Sequence, residues 1–105
     1  MLRIHDDMLH AITIMRPMLS AIERRDSDLA RQLRRCAASV VLNIAEGSGA
    51  FGRVRTARYR TALGLARETL ACLRTAEAFG YTEHVSAAVL ADLNRIIGTL
   101  VRVSR

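Results

Sequence analysis

Four times in this chain of 105 residues, a run of mostly apolar side chains recurs at alternating steps of four and three. The first run is Met8, Ile12, Met15, Leu19 and Ile22; the second is Leu29, Leu33, Cys36, Val40 and Asn43. The third is Tyr59, Leu63, Ala66, Leu70 and Leu73, and the fourth is Val89, Leu93, Ile96, Leu100 and Val103. Such spacing returns each member to one face of an α-helix, whereas a strand would alternate every second residue. Half of the residues are hydrophobic but only 4% are aromatic, so the cores of these helices must be aliphatic side chains and alanine. One proline and six glycines are too few for the regular turns of an all-β domain.

The breaks between runs are short. Asp26-Ser27-Asp28 offers N-cap oxygens to a second helix, and three glycines between Gly47 and Gly52 separate the second from the third. Gly80 suits the end of the third helix, and Thr82 is the expected cap of the fourth. The pattern predicts one domain over 1–105 with helices near 5–25, 28–47, 54–79 and 83–103. Short connections make neighbours antiparallel, so the expected fold is an all-α, up-down-up-down antiparallel four-helix bundle, about 30 Å long for helices of roughly 20 residues. Pro17 falls inside the first helix and predicts a kink near Thr13 or a restart there.

Helix four carries a second apolar row, Leu90, Ile97 and Val101, leaving Asp92, Arg95, Thr99 and Arg102 as its polar side. Leu42, Ile14 and Leu65 also fall off the main stripes. Surplus apolar faces on a small domain mark contact surfaces, and Leu90, Ile97, Val101, Leu42 and Leu65 are the expected contacts of a homo-oligomer.

The net charge is +6, and all sixteen basic residues are arginine. Arg53, Arg55, Arg58 and Arg60 place four positive charges in eight residues with no acid among them, where the helix dipole disfavours them. Arg31, Arg34 and Arg35 form a second set. A guanidinium matches phosphate geometry, so both sets are candidate contacts to nucleic acid; the alternatives are a solvated basic face or acids of a neighbouring subunit. Few aromatic residues interleave, which predicts phosphate contacts rather than base stacking.

Other chemistry finds little support. Cys36 and Cys72 are isolated, which predicts buried thiols rather than a disulfide framework or a zinc site. Asp7 and His10 give only half of a di-metal carboxylate motif, so neither metal nor cofactor is expected. No nucleophile elbow or phosphate-binding glycine loop occurs, and the reading is not an enzyme. Met1 to Asp7 lacks the architecture of a signal peptide and no apolar run suits a membrane span, so a cytoplasmic protein without membrane contact is expected. Asn43, on the core stripe, is expected to fix helix register. Glu46, at a helix C-terminus that disfavours a carboxylate, calls for a compensating arginine: Arg35, Arg53 or one from another subunit.

The second helix also carries a motif. Arg34-Arg35, Ala37, Ser39 and Asn43-Ile44-Ala45-Glu46-Gly47 resemble the bacterial four-helix bundle proteins also called intervening-sequence proteins, some encoded within insertions in large-subunit ribosomal RNA genes. Ala62-Leu63-Gly64, Glu68, Leu73, Ala76 and Gly80-Tyr81 are similar to the family's third-helix pattern, so the likeness spans about 27–81. The family commonly has proline at the position of Val41, so this second helix should run more smoothly. The resemblance implies a cytoplasmic bundle that assembles into a ring, a pentamer, with no catalytic residue. Leu93 to Val101 is similar to a related branch, the accessory variability determinants of diversity-generating retroelements, which bind a reverse transcriptase and nucleic acid through a basic pentamer. The expected function is therefore a non-enzymatic oligomeric adaptor whose arginines contact RNA, DNA or a reverse transcriptase. The alternatives are a purely structural homo-oligomer and, more distantly, a HEPN-like ribonuclease built on Arg3 and His10.

Overall fold

The computed structural model describes residues 3–105 and contains four helices: α1 (Ile4–Arg25), α2 (Ser27–Ser48), α3 (Gly52–Ala78) and α4 (Ala87–Val103). Each helix packs on the next in sequence and α1 closes against α4, which is the up-down-up-down bundle the periodicity predicts. The molecule measures 42 × 24 × 19 Å. It is longer than expected because α3 has 27 residues, about 40 Å of helix. Among the described residues no helix is long and apolar enough to cross a membrane.

The core is built from Met8, Met15 and Ile22 of α1, Leu33, Val40 and Ile44 of α2, Leu73 of α3, and Val89, Leu93, Ile96 and Leu100 of α4. The buried face of α3 is otherwise dominated by small or short side chains: Ala62, Ala66, Thr69, Cys72 and Ala76. Large side chains on three helices face mostly small ones on the fourth, where Tyr59, near its start, is a buried aromatic. Cys36 and Cys72 are free and buried. The Cys36 Sγ accepts a 3.3 Å bond from the Thr69 hydroxyl. Burial, then the neighbouring Cys36 and the charge of Glu68, push the Cys72 thiol up to about 12.

Several details depart from the sequence pattern. The core stripe of α2 steps from Val40 to Ile44 and Gly47, so Asn43 is half-buried beside the stripe rather than on it. Its Nδ2 donates to the Ser39 carbonyl at 2.8 Å, while its Oδ1 is buried without a partner among the described residues. Pro17 does not restart the first helix: α1 runs unbroken from Ile4 to Arg25 with the proline inside it. Pro17 and Thr13 are both exposed, so solvent meets the carbonyl that the missing N–H leaves free. The second helix continues through Val41 as expected.

Helix four begins later than its pattern suggests, at Ala87 instead of residue 83. Ser86, not Thr82, is its cap and accepts the Ala88 N–H at 3.2 Å. The third helix ends at a left-handed Gly80 (φ +74°), where the Tyr81 N–H reaches the Ala76 carbonyl at 2.9 Å and the Gly80 N–H reaches Glu77 at 3.0 Å. Glu77 then holds the loop: its carboxylate accepts the Val85 N–H at 2.9 Å and an Arg74 bond at 3.1 Å. The Val85 N–H chiefly, with Arg74 and His84, keeps this carboxyl below its ordinary range.

Asp92, assigned to a polar face by periodicity, is buried. A carboxylate there requires partners. His10 supplies one, its Nδ1 lying 2.7 Å from Asp92 Oδ2, and Arg95 supplies another. Arg95 also lies 3.7 Å from Asp7, so the cluster joins α1 to α4.

Candidate nucleic-acid interface

The end of the bundle where α2 turns into α3 is shaped by a close approach. Gly47 is buried inside α2, and a Cβ at that position would lie 2.6 Å from Cε1 of Tyr59. Glycine is needed there for space rather than to stop the helix. Tyr59 is buried over it, with its hydroxyl 3.3 Å from the Ser48 Oγ. The chain then turns through Gly52, whose φ of +56° favours glycine, and α3 begins. Phe51, at the N-cap, is extended and offers no side-chain acceptor to the first amides of α3. No acidic residue lies in that first turn. The helix start is therefore electropositive from its backbone as well as its arginines.

The four arginines fan around this start instead of lining one face. Arg55 turns back to the loop, its Nε donating to Ala50 O at 2.9 Å and Gly47 O at 3.3 Å. Its guanidinium lies over the Phe51 ring, 5.9 Å from the centroid. Arg58 leans toward α2 and pairs with Glu46 at 3.0 Å. That corrects the expected partner of Glu46, which is neither Arg35 nor Arg53. A register in which α3 runs back along α2 brings residue 58 opposite residue 46. Arg60 leans the other way and donates to the Ser104 carbonyl at 3.0 Å. Arg53 has no hydrogen-bond or ion-pair partner among the described residues. Shallow depressions flank Ala57, one between Arg53 and Arg58 and the other between Arg53 and Arg60.

The second arginine set lies elsewhere. Arg31 pairs with Asp28 at 2.7 Å and Arg34 with Glu23. Arg35 has no partner among the described residues and borders a depression between α2 and α3 that also meets Ser39 and Leu65. Twelve residues of α2 separate Arg34 from Glu46, about 18 Å of helix, so the two sets do not form one surface. The antiparallel return of α4 instead brings Arg102 and Arg105 to the end that holds Arg60, a contribution that periodicity and charge runs did not reveal. Phe51 was missed as well; it is 83% exposed beside the arginines.

Among the apolar residues off the main stripes, Leu90, Ile97 and Leu65 pack partly buried against the core, and Val101 is half-buried. Leu42 is 59% exposed. Leu9, Val54 and Phe79, which the sequence pattern does not single out, are exposed as well.

These features define a small antiparallel helical bundle with one strongly basic end. Within that class, the chain belongs to the 23S rRNA-intervening sequence protein family, whose profile matches residues 7–102. Its fold is similar to the crystal structure of a protein of unknown function from the S23 ribosomal protein family of Bacteroides thetaiotaomicron. The TM-score is 0.78 at 18% identity, over 97% of this chain and 98% of that one. A comparison with curated proteins gives no match.

Proposed function

We propose that the chain is a non-enzymatic nucleic-acid-binding protein that contacts phosphates through the basic start of α3. The observation that carries this reading is Arg53, without a partner among the described residues and beside an uncapped helix start, in a stretch with no acid between Glu46 and Glu68. Arg58 and Arg60 flank it: Arg58 holds a surface carboxylate that a phosphate can outcompete at little cost, since exposed pairs contribute about 0–1 kcal/mol, and Arg60 is tied to the Ser104 carbonyl through Nε alone, which leaves its terminal nitrogens for a phosphate. Successive phosphates of a strand would meet three guanidinium groups spread around a helix start whose dipole has the right sign. His10 is engaged as a strut to Asp92, which favours a structural role over the ribonuclease alternative.

Self-association accompanies this reading as a proposal, and the exposed Leu42 is one residue that supports it. A ring would repeat the basic end around an axis and multiply weak phosphate contacts.

Binding of a labelled oligonucleotide across a salt series tests the proposal. The triple replacement Arg53→Gln, Arg58→Gln and Arg60→Gln should flatten the log–log salt slope by about two to three, as expected for three lost phosphate contacts. Oligomer mass by light scattering should be unchanged. Arg55 is left intact because it supports the turn. No affinity for the wild-type protein even at low salt would refute the reading.

A further inference from the structure

We propose that Phe51 is a stacking platform for an unpaired nucleobase, so that the basic end selects single-stranded over duplex nucleic acid. The inference rests on the nucleic-acid reading above and names the form of the ligand. Phe51 is 83% exposed at a turn whose neighbours are arginines. An aromatic ring so placed loses water contact only when something covers it.

The backbone around it sets where the residue projects. The backbone at Phe51 is extended and is followed at once by the left-handed Gly52, which projects the residue from the helix end. Arg55, tied by Nε to Ala50 O and Gly47 O, sits over the ring at 5.9 Å. A guanidinium fixed by two carbonyls lies on one side of the ring, 5.9 Å from its centroid, and the ring is otherwise open to solvent. A base stacked on the open face would sit in a three-layer arrangement of base, phenyl and guanidinium.

The charge around the ring decides which occupant fits. Arg53 follows Phe51 by two residues and is unpartnered among the described residues, and no acid lies nearer in sequence than Glu46, which Arg58 already engages. An apolar partner would leave Arg53 without a counter-charge. A strand with exposed bases supplies both a flat ring for Phe51 and phosphates for the arginines. A duplex keeps its bases stacked inside and offers the phosphates alone.

The test compares single-stranded and duplex oligonucleotides of equal length at one salt concentration, with wild type, Phe51→Ala and Phe51→Tyr. Single-strand affinity should fall about tenfold in Phe51→Ala and return in Phe51→Tyr, with duplex affinity unchanged. A 2-aminopurine in the strand should be quenched by wild type and not by Phe51→Ala. Because the side chain is exposed, both variants should fold, and helical content by circular dichroism checks this.

Binding of both ligands by wild type with no effect of Phe51→Ala would overturn the stacking role and leave the phosphate reading intact. Binding of neither would overturn both. Loss of anionic-vesicle binding in Phe51→Ala, with oligonucleotide binding retained, would make Phe51 a membrane anchor and refute the inference. A drop in oligomer mass in Phe51→Ala would make the ring a contact between copies and would equally overturn the stacking role.

Discussion

Replacing Gly47 with alanine pits two opposing effects against each other, and the structure says which should win. Alanine in a helix interior is favoured over glycine by about 1 kcal/mol. Here, however, the new Cβ would lie 2.6, 2.8 and 3.2 Å from three ring atoms of Tyr59. The ring cannot swing aside freely, because Tyr59 is buried and its hydroxyl rests on Ser48. Overpacking of a closed site costs about 1–3 kcal/mol, so Gly47→Ala should destabilise by about 1 kcal/mol net, lowering Tm by roughly 4–8 °C in a domain of this size. In a Tyr59→Leu background the ring is gone and only the helix preference remains. There the same substitution should stabilise by up to about 1 kcal/mol. Urea unfolding followed by far-UV circular dichroism at one fixed protein concentration completes the double-mutant cycle, since self-association would otherwise move the midpoint. Equal stabilisation by Gly47→Ala in both backgrounds would refute the argument that Tyr59 excludes a side chain at position 47.

Two titrations give further checks. The Glu77 carboxyl is held low in the folded state, so its contribution is present above the ordinary carboxylate range and is lost as pH falls through the folded value. Glu77→Gln should therefore be less stable than wild type near neutrality, and the two should converge in acid unfolding. The Cys72 thiol is pushed up to about 12 from an ordinary value of 9.0, so the unfolded chain ionises first and stability falls as pH rises across that interval. Cys72→Ala should lose that alkaline component, and a thiol reagent should label Cys72 only in denaturant.

The helices were readable in the sequence because their stripes are long and repeated, although Ile12, Leu19, Leu29, Leu63, Leu70 and Val103 of those stripes are only partly buried. The same spacing misplaced Asn43 because a 4–3 rhythm drifts against a helix of 3.6 residues per turn, and Ile44 offered a better apolar alternative one position on. The start of α4 was misread because Thr82, a residue type suited to an N-cap, imitates one. What displaces it is Glu77, a side chain from the preceding helix that binds the Val85 N–H, and no local pattern contains that information.

The basic site was half visible. The charge run from Arg53 to Arg60 was plain in the sequence. The partners of Arg58 and Arg60 depend on contacts with α2 and α4, which only the fold specifies. Phe51 was visible as a letter within a glycine-rich turn, but its exposure follows from the extended N-cap conformation. The burial of Asp92 was hidden for a related reason. His10 and Arg95 make it tolerable, and His10 is 82 residues away in the chain.

The packing of Tyr59 over Gly47 and the stacking of Tyr81 on Phe79 at 5.2 Å have a practical consequence. The chain has two tyrosines and no tryptophan, and these two report from opposite ends of the bundle. Tyr59 emits from a buried site at the α2–α3 turn, and Tyr81 from the loop that leads into α4. The protein therefore carries its own pair of fluorophores, and single-tyrosine variants would let time-resolved emission follow the fraying of each end separately, without an attached dye.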